Sequence, residues 1–192
     1  FEVRKMSKKK VTNKNDIIEL RVKRFLAMVI DWYLTNMLAV IPITFYFRNG
    51  DYLQPYMFDF THYDFQTALL LILYGIAIGL IYYIIIPVFL WKGQTLGKKI
   101  CKIQIVDINE NNITLKTMLL RELVGATLLE GGIVITATYL RKLLPVLGFT
   151  SFVEPLKYLA YGLTLLSILY AYFQPNSQSF HDKIAQTIII KK

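Results

Sequence analysis

The sequence predicts an all-α integral membrane fold: four transmembrane helices, a small cytoplasmic β-hairpin between helices two and three, and a C-terminal tail strand. Three observations carry this expectation. The 192-residue chain is 55% hydrophobic with a mean hydropathy of +0.43, too apolar for a water-facing surface. Four apolar runs, at 24–47, 67–91, 117–140 and 152–173, are long enough to cross ~30 Å of hydrocarbon at about 1.5 Å per residue. The Lys and Arg residues are also uneven. Seventeen lie in the segment ending at Arg24, in 92–116 and in the tail after Phe173, against three in the other two connectors. By the positive-inside rule both termini face the cytoplasm, as expected of a multi-pass protein of the cell membrane.

The rival class, a soluble helical bundle, requires a polar face at 3.6-residue spacing, and the run ALLLILYGIAIGLIYYIIIPVFLW has none. The net charge of +9 does not point to nucleic acid. The basic arm RKMSKKKVTNK lacks interleaved aromatics and any nucleic-acid motif, and suits attraction to an anionic lipid surface. Residues 1–23 therefore form a cytoplasmic arm, and 24–192 a membrane domain.

Along the first span, Asp31 makes a signal-peptide reading untenable, and Pro42 removes a backbone donor and is expected to kink the helix. The connector 48–66 is acidic and aromatic, fit for an outer interface. Gly75-x-x-x-Gly79 in the second span offers a close-packing face, within the chain or in a homo-oligomer. Beyond it, 99–107 alternates β-branched residues, 109–112 has turn chemistry, and 113–116 reads as the returning strand of a hairpin. The run Thr187-Ile188-Ile189-Ile190 could add a third strand. Arg141 and Lys142 are the exception to the charge split. The sequon at Asn112 falls on the cytoplasmic side, where no glycan is expected.

Enzyme chemistry finds little support. Gly93-x-x-x-Gly97-Lys98-Lys99 misses the spacing and the Ser/Thr of a phosphate loop. His181-Asp182 lacks convergent ligands for a metal, and His62 lies on the opposite side. The single cysteine, Cys101, excludes an internal disulfide. No metal and no cofactor is expected.

What remains is charge inside apolar helices. A carboxylate at depth costs on the order of 3 kcal/mol, so Asp31 and Glu130 should face the protein interior. Arg24 and Asp31, seven residues apart, share one helix face about 10 Å apart along the axis. Arg121 is nine residues from Glu130 and points away from it, and Glu122 should reach water. Such groups serve either as interhelical hydrogen-bonding glue or as an ion or proton site.

Three motifs carry a family resemblance: Arg24-x-x-Ala27-x-x-x-Asp31, then Thr95-Leu96-Gly97-Lys98 followed by Ile103-x-Ile105, then His181-Asp182-Lys183-Ile184-Ala185-x-Thr187. In this order they resemble the RDD family of membrane proteins, whose arginine and two aspartates would correspond to Arg24, Asp31 and Asp182. The family often has glycine where this chain has Lys102 and Gln186, and basic residues where it has Ser177-Gln178-Ser179. The resemblance implies a role in transport, some members looking like cation/proton antiporters. The expected function is a small transporter exchanging a monovalent cation for protons. Asp31 and Glu130 would carry the ion or proton, Arg24 would set the charge state of Asp31, and Asp182 would pair with Arg24. The alternative is a non-transporting scaffold or accessory subunit that binds lipid or a partner membrane protein.

Overall fold

A computed structural model describes residues 14–47 and 54–192. Most of the basic arm and the start of the connector at 48–66 lie outside the described residues. Helix α1 covers Lys14–Phe47, α2 Phe65–Leu90, α3 Leu96–Ile100, α4 Leu115–Glu130, α5 Ile135–Val146, α6 Val153–Phe173 and α7 Phe180–Ile184. Strands β1, Ile103–Asp107, and β2, Thr187–Lys191, form the sheet, and short 3-10 turns lie at Pro55–Phe58, Phe60–His62 and Thr150–Phe152. Three helical segments are long and apolar enough to cross a membrane: Asn15–Phe47, Phe65–Leu90 and Thr150–Phe173. Helices α4 and α5 make a fourth span only if taken as one, because they meet at a 50° bend.

Apolar and polar residues are distributed as a bilayer would require. Leu70, Leu128 and Phe25 are at least 60% exposed, whereas Asp31, Arg121, Glu130 and Asp182 are buried. In lipid the outer surface needs no polar coat, and the cost of charge drives ionisable groups inward.

The predicted continuous third span is corrected by the break at 131–134. Gly131 takes φ +63°, a left-handed conformation that glycine adopts without a Cβ penalty, and ends α4. A break in an apolar helix frees backbone groups that need partners wherever water is excluded. Side chains satisfy them: Thr164 donates to the Glu130 carbonyl at 3.1 Å and accepts from the Gly132 N–H at 3.1 Å. Arg141 donates to the carbonyl of Gly131. Its neighbour Lys142 donates to the Phe58 carbonyl at 2.6 Å. The two cations that break the charge split thus donate to backbone carbonyls within the fold. Pro42 follows the same logic. It leaves the Leu38 carbonyl without its helical donor, and the Tyr74 hydroxyl supplies one at 2.7 Å.

The expected hairpin is also corrected. β1 pairs antiparallel with the tail strand β2, in the register Ile103↔Lys191, Ile105↔Ile189 and Asp107↔Thr187. The segment 113–116 does not return as a strand, because the Thr114 side chain caps α4 by accepting from the Thr117 N–H at 3.2 Å. The turn chemistry itself is present: Asp107 Oδ1 accepts from the backbone of Asn109 and Asn111. Ile103, Ile105 and Ile189 then bury their inward face with Met118 and Ile113.

Lys102 and Gln186, the positions where the family often has glycine, both adopt left-handed backbone, φ +55° and +51°. That conformation costs an L-residue roughly 1–2 kcal/mol, against ~0.5–1 kcal/mol of extra chain entropy for glycine. Gln186→Gly is therefore expected to raise stability by up to about 1 kcal/mol, and Lys102→Gly likewise, read as higher melting temperatures in detergent. Lower melting points would mean that the replaced side chains do more than occupy the turns.

Gly75 and Gly79 pack within the chain. A Cβ at Gly75 would collide with the Tyr139 ring, and one at Gly79 with Thr136 and Ile135. This face receives α5, so of the two readings the close packing is within the chain. Gly75→Leu is expected to destabilise by about 1–3 kcal/mol or more, as overpacking does. An unchanged melting curve would show that α2 and α5 do not meet this closely.

Candidate functional site

Two buried charge clusters sit at the end of the bundle where β1, β2 and the start of α1 meet. The first is built on Asp31, which is 1% exposed. Its Oδ1 accepts from the Tyr82 hydroxyl at 2.6 Å and from the Gly97 N–H at 2.8 Å. Its Oδ2 accepts from Thr95 Oγ1 at 2.5 Å and Lys98 Nζ at 3.2 Å. Four donors, one of them a cation, fill the sites of an ionised carboxylate. The Thr95-x-Gly97-Lys98 motif has a physical basis here. Thr95 caps α3, Lys98 supplies the charge, and Gly97 lets the backbone approach, since a Cβ there would sit 2.7 Å from Asp31 Oδ1. The cation on Asp31 is Lys98 and not Arg24, which was expected to set its charge state.

The second cluster joins three helices distant in sequence. Arg24 Nη2 donates to Asp182 Oδ2 at 2.6 Å, and Arg121 donates to Asp182 Oδ1 through Nε and Nη2 at 3.1 and 3.0 Å. Asp182 also closes a capping box on α7, accepting from the Ser179 N–H and hydroxyl. Burial alone would push the Asp182 carboxyl up. The guanidiniums of Arg24 and Arg121 outweigh it and hold the group well below the ordinary carboxylate value of 3.8. Glu122 does not reach water; it is buried and pairs with Arg121.

Glu130 meets the tail. Its Oε1 accepts from Ser167 Oγ at 2.7 Å, from the His181 N–H at 3.0 Å, and contacts His181 Nδ1 at 2.9 Å. Gly125 makes room for α7, because a Cβ there would lie 2.6 Å from the His181 Cα. On the other side of the ring, His181 Nε2 lies 2.9 Å from Ser179 Oγ, whose one hydrogen goes to Asp182. The Glu130–His181 contact is an ion pair when the imidazole carries both ring hydrogens.

The clusters share a cavity of about 340 Å³ lined by Asp31, Lys98, Arg121, Glu130, His181 and the unwound backbone at Gly132. The site brings together Arg24 with Asp182, Glu130 with His181, and Asp31 with Thr95, Gly97 and Lys98. Among the described residues, no three His, Cys, Asp or Glu side chains converge as a metal cage.

Spacing placed Arg121 on the face away from Glu130 and gave it no partner, although a cation inside an apolar run is itself a signal. The lone Ser167 in an apolar helix was a weaker one. Tyr82 and Gly125 carried no local signal.

The RDD family model matches residues 20–186. The chain belongs to the RDD family. RDD proteins are membrane proteins, and the three motifs of this one converge on the two clusters. No curated protein and no solved structure matches the chain.

Proposed function

We propose that this RDD protein is a small secondary transporter of the cell membrane, exchanging a monovalent cation for protons, with both termini in the cytoplasm. One observation carries the reading: a broken helix whose unwound backbone borders a cavity, with a carboxylate, Glu130, at the break and a histidine as its counter-charge. Irregular backbone at membrane depth is tolerated where it lines a cavity, and broken helices mark binding sites in secondary transporters.

The exchange is a competition for one negative charge. Protonated His181 neutralises Glu130. When the imidazole loses that proton, Glu130 can hold a monovalent cation in its place. One proton leaves for each cation bound, so charge balances. All three donors to Glu130 converge on Oε1, so Oε2 receives none of them. Asp31 takes a positioning role, since its four acceptor sites are filled.

The other reading, a non-transporting membrane module, gains from the saturation of Asp31 and Asp182, which fits glue as well as mechanism. The decisive experiment reconstitutes the purified protein in liposomes carrying a pH-sensitive dye. Imposed gradients of sodium, potassium or lithium should move protons in the opposite direction. No proton movement with any of the three would leave the scaffold reading.

A further inference from the structure

Helices α1 and α6 flank the cavity without packing closely on each other. α1 rests on α2, α3 and α5, whereas α6 rests on α4, α5 and α7. The gap between them is a lateral groove. Its walls at the cavity are Phe25, Met28 and Trp32 from α1 and Ile168, Ala171 and Tyr172 from α6. A second cavity of about 470 Å³ shares Met28, Trp32, Gly132 and Ile133 with the first and extends the groove to Asn36 and Tyr161. From Arg21 to Asn36 the helix rises about 22 Å, more than one leaflet of a ~30 Å hydrocarbon core.

Between α1 and α6 the groove walls are mostly apolar, the charged groups of the two clusters also line the first cavity, and the Arg21 end is cationic. Arg21 lines it there and forms no ion pair with a carboxylate among the described residues. It is held in place nonetheless: Nε donates to Ser177 Oγ at 3.1 Å, Nη2 reaches the Gln174 carbonyl, and the guanidinium lies 4.6 Å from the Tyr172 ring centroid. A guanidinium has five N–H donors, so more remain than these two bonds use. Beside it is Arg24, whose charge Asp182 already shares with Arg121. The mouth opens between exposed Phe25, Ile168 and Tyr172, on the same surface as the exposed apolar residues of both helices.

We infer that this groove binds an anionic phospholipid, with the headgroup phosphate on Arg21 and one acyl chain running between α1 and α6 past Met28 and Trp32. The charge selects the lipid. A guanidinium with no carboxylate partner among the described residues prefers a net negative headgroup over a zwitterionic one, and bidentate phosphate contact strengthens that preference. The apolar walls select a lipid over a soluble phosphate, because a headgroup alone would leave the groove empty. The bound chain would close the cavity toward the bilayer, leaving the Glu130 end to its own chemistry. This site goes beyond the exchange reading and stands or falls separately from it.

The test is native mass spectrometry of the full chain in detergent, offered phosphatidylglycerol and phosphatidylcholine at equal concentration. Phosphatidylglycerol should be retained at least about five-fold better, as expected for charge-assisted phosphate contact. Arg21→Gln should reduce it to the phosphatidylcholine level. Met28→Trp, which fills the groove, should lose both lipids, and Ile168→Trp on the opposite wall should do the same, each checked by an unchanged melting transition. Glu130→Gln should leave retention unchanged, which separates this site from the exchange. Equal retention of the two lipids, insensitivity to Arg21→Gln, or displacement by soluble glycerol phosphate would overturn the assignment. A dimer mass that Met28→Trp dissolves would give the groove to a second copy instead.

Discussion

Asp182→Asn is expected to destabilise the detergent-solubilised protein by about 3–5 kcal/mol, the range for breaking a buried ion pair. At about 2–4 °C per kcal/mol for a chain of this size, the melting temperature should fall on the order of 10 °C. The buried-pair figure applies because Asp182 is fully buried and the Arg24 side chain is 15% exposed. The larger part of the loss comes from Arg121, which would be left inside the protein with Glu122 as its remaining carboxylate partner. A swap to Asp182→Arg with Arg24→Asp is therefore expected to rescue poorly, because the new arginine would face Arg121. The pH dependence follows from the depressed pKa of Asp182. Its contribution is complete above the unfolded value near 3.8 and is lost as pH falls below that toward the folded pKa. The Asp182→Asn protein should lose less stability than the parent over that acid range. A melting point within a degree of the parent, or an equal acid loss in both proteins, would mean that the cluster does not hold the tail.

Glu130→Gln is expected to reduce cation-dependent proton movement to the level of protein-free liposomes while leaving the fold intact. The amide is nearly isosteric, and its carbonyl oxygen can still accept from Ser167 and the His181 N–H. It has no charge, so it can neither pair with imidazolium nor hold a cation. Asp31→Asn is a poorer test. Every group facing that carboxylate is a donor, so an amide would turn one NH2 toward donors and destabilise the first cluster. Flux that survives Glu130→Gln at the parent rate would remove Glu130 from the mechanism. Flux lost equally in Asp31→Asn, with a lowered melting point, would report damage to the fold.

Much of the architecture was legible in the chain. The apolar runs locate the helices because length and hydropathy are local properties. The isoleucines at 188–190 could be read as a strand because such a run needs an apolar surface to cover. The pairing of Arg24 with Asp182 was reachable from the short link after Phe173. The hairpin reading failed because a β-rich stretch does not name its partner, and Thr114 works equally well as a helix cap. The broken third span was foreshadowed by Gly131-Gly132, but two glycines in an apolar run can also pack helices.

The sequence by itself determined that ionisable groups would lie inside apolar helices, and that each would need a partner to offset its desolvation. Which partner each found was decided only by the tertiary structure. Arg24 and Asp31, neighbours on one helix face, are not partners. Arg24 instead bonds a residue 158 positions away, and Asp31 a lysine 67 positions away. Helical spacing sets which residues share a face. The strength of an ion pair depends on approach within a few ångströms and on exclusion of water. Both are set by how α3 and α7 dock against the bundle, through Gly97 and Gly125, and neither is a property of any one segment.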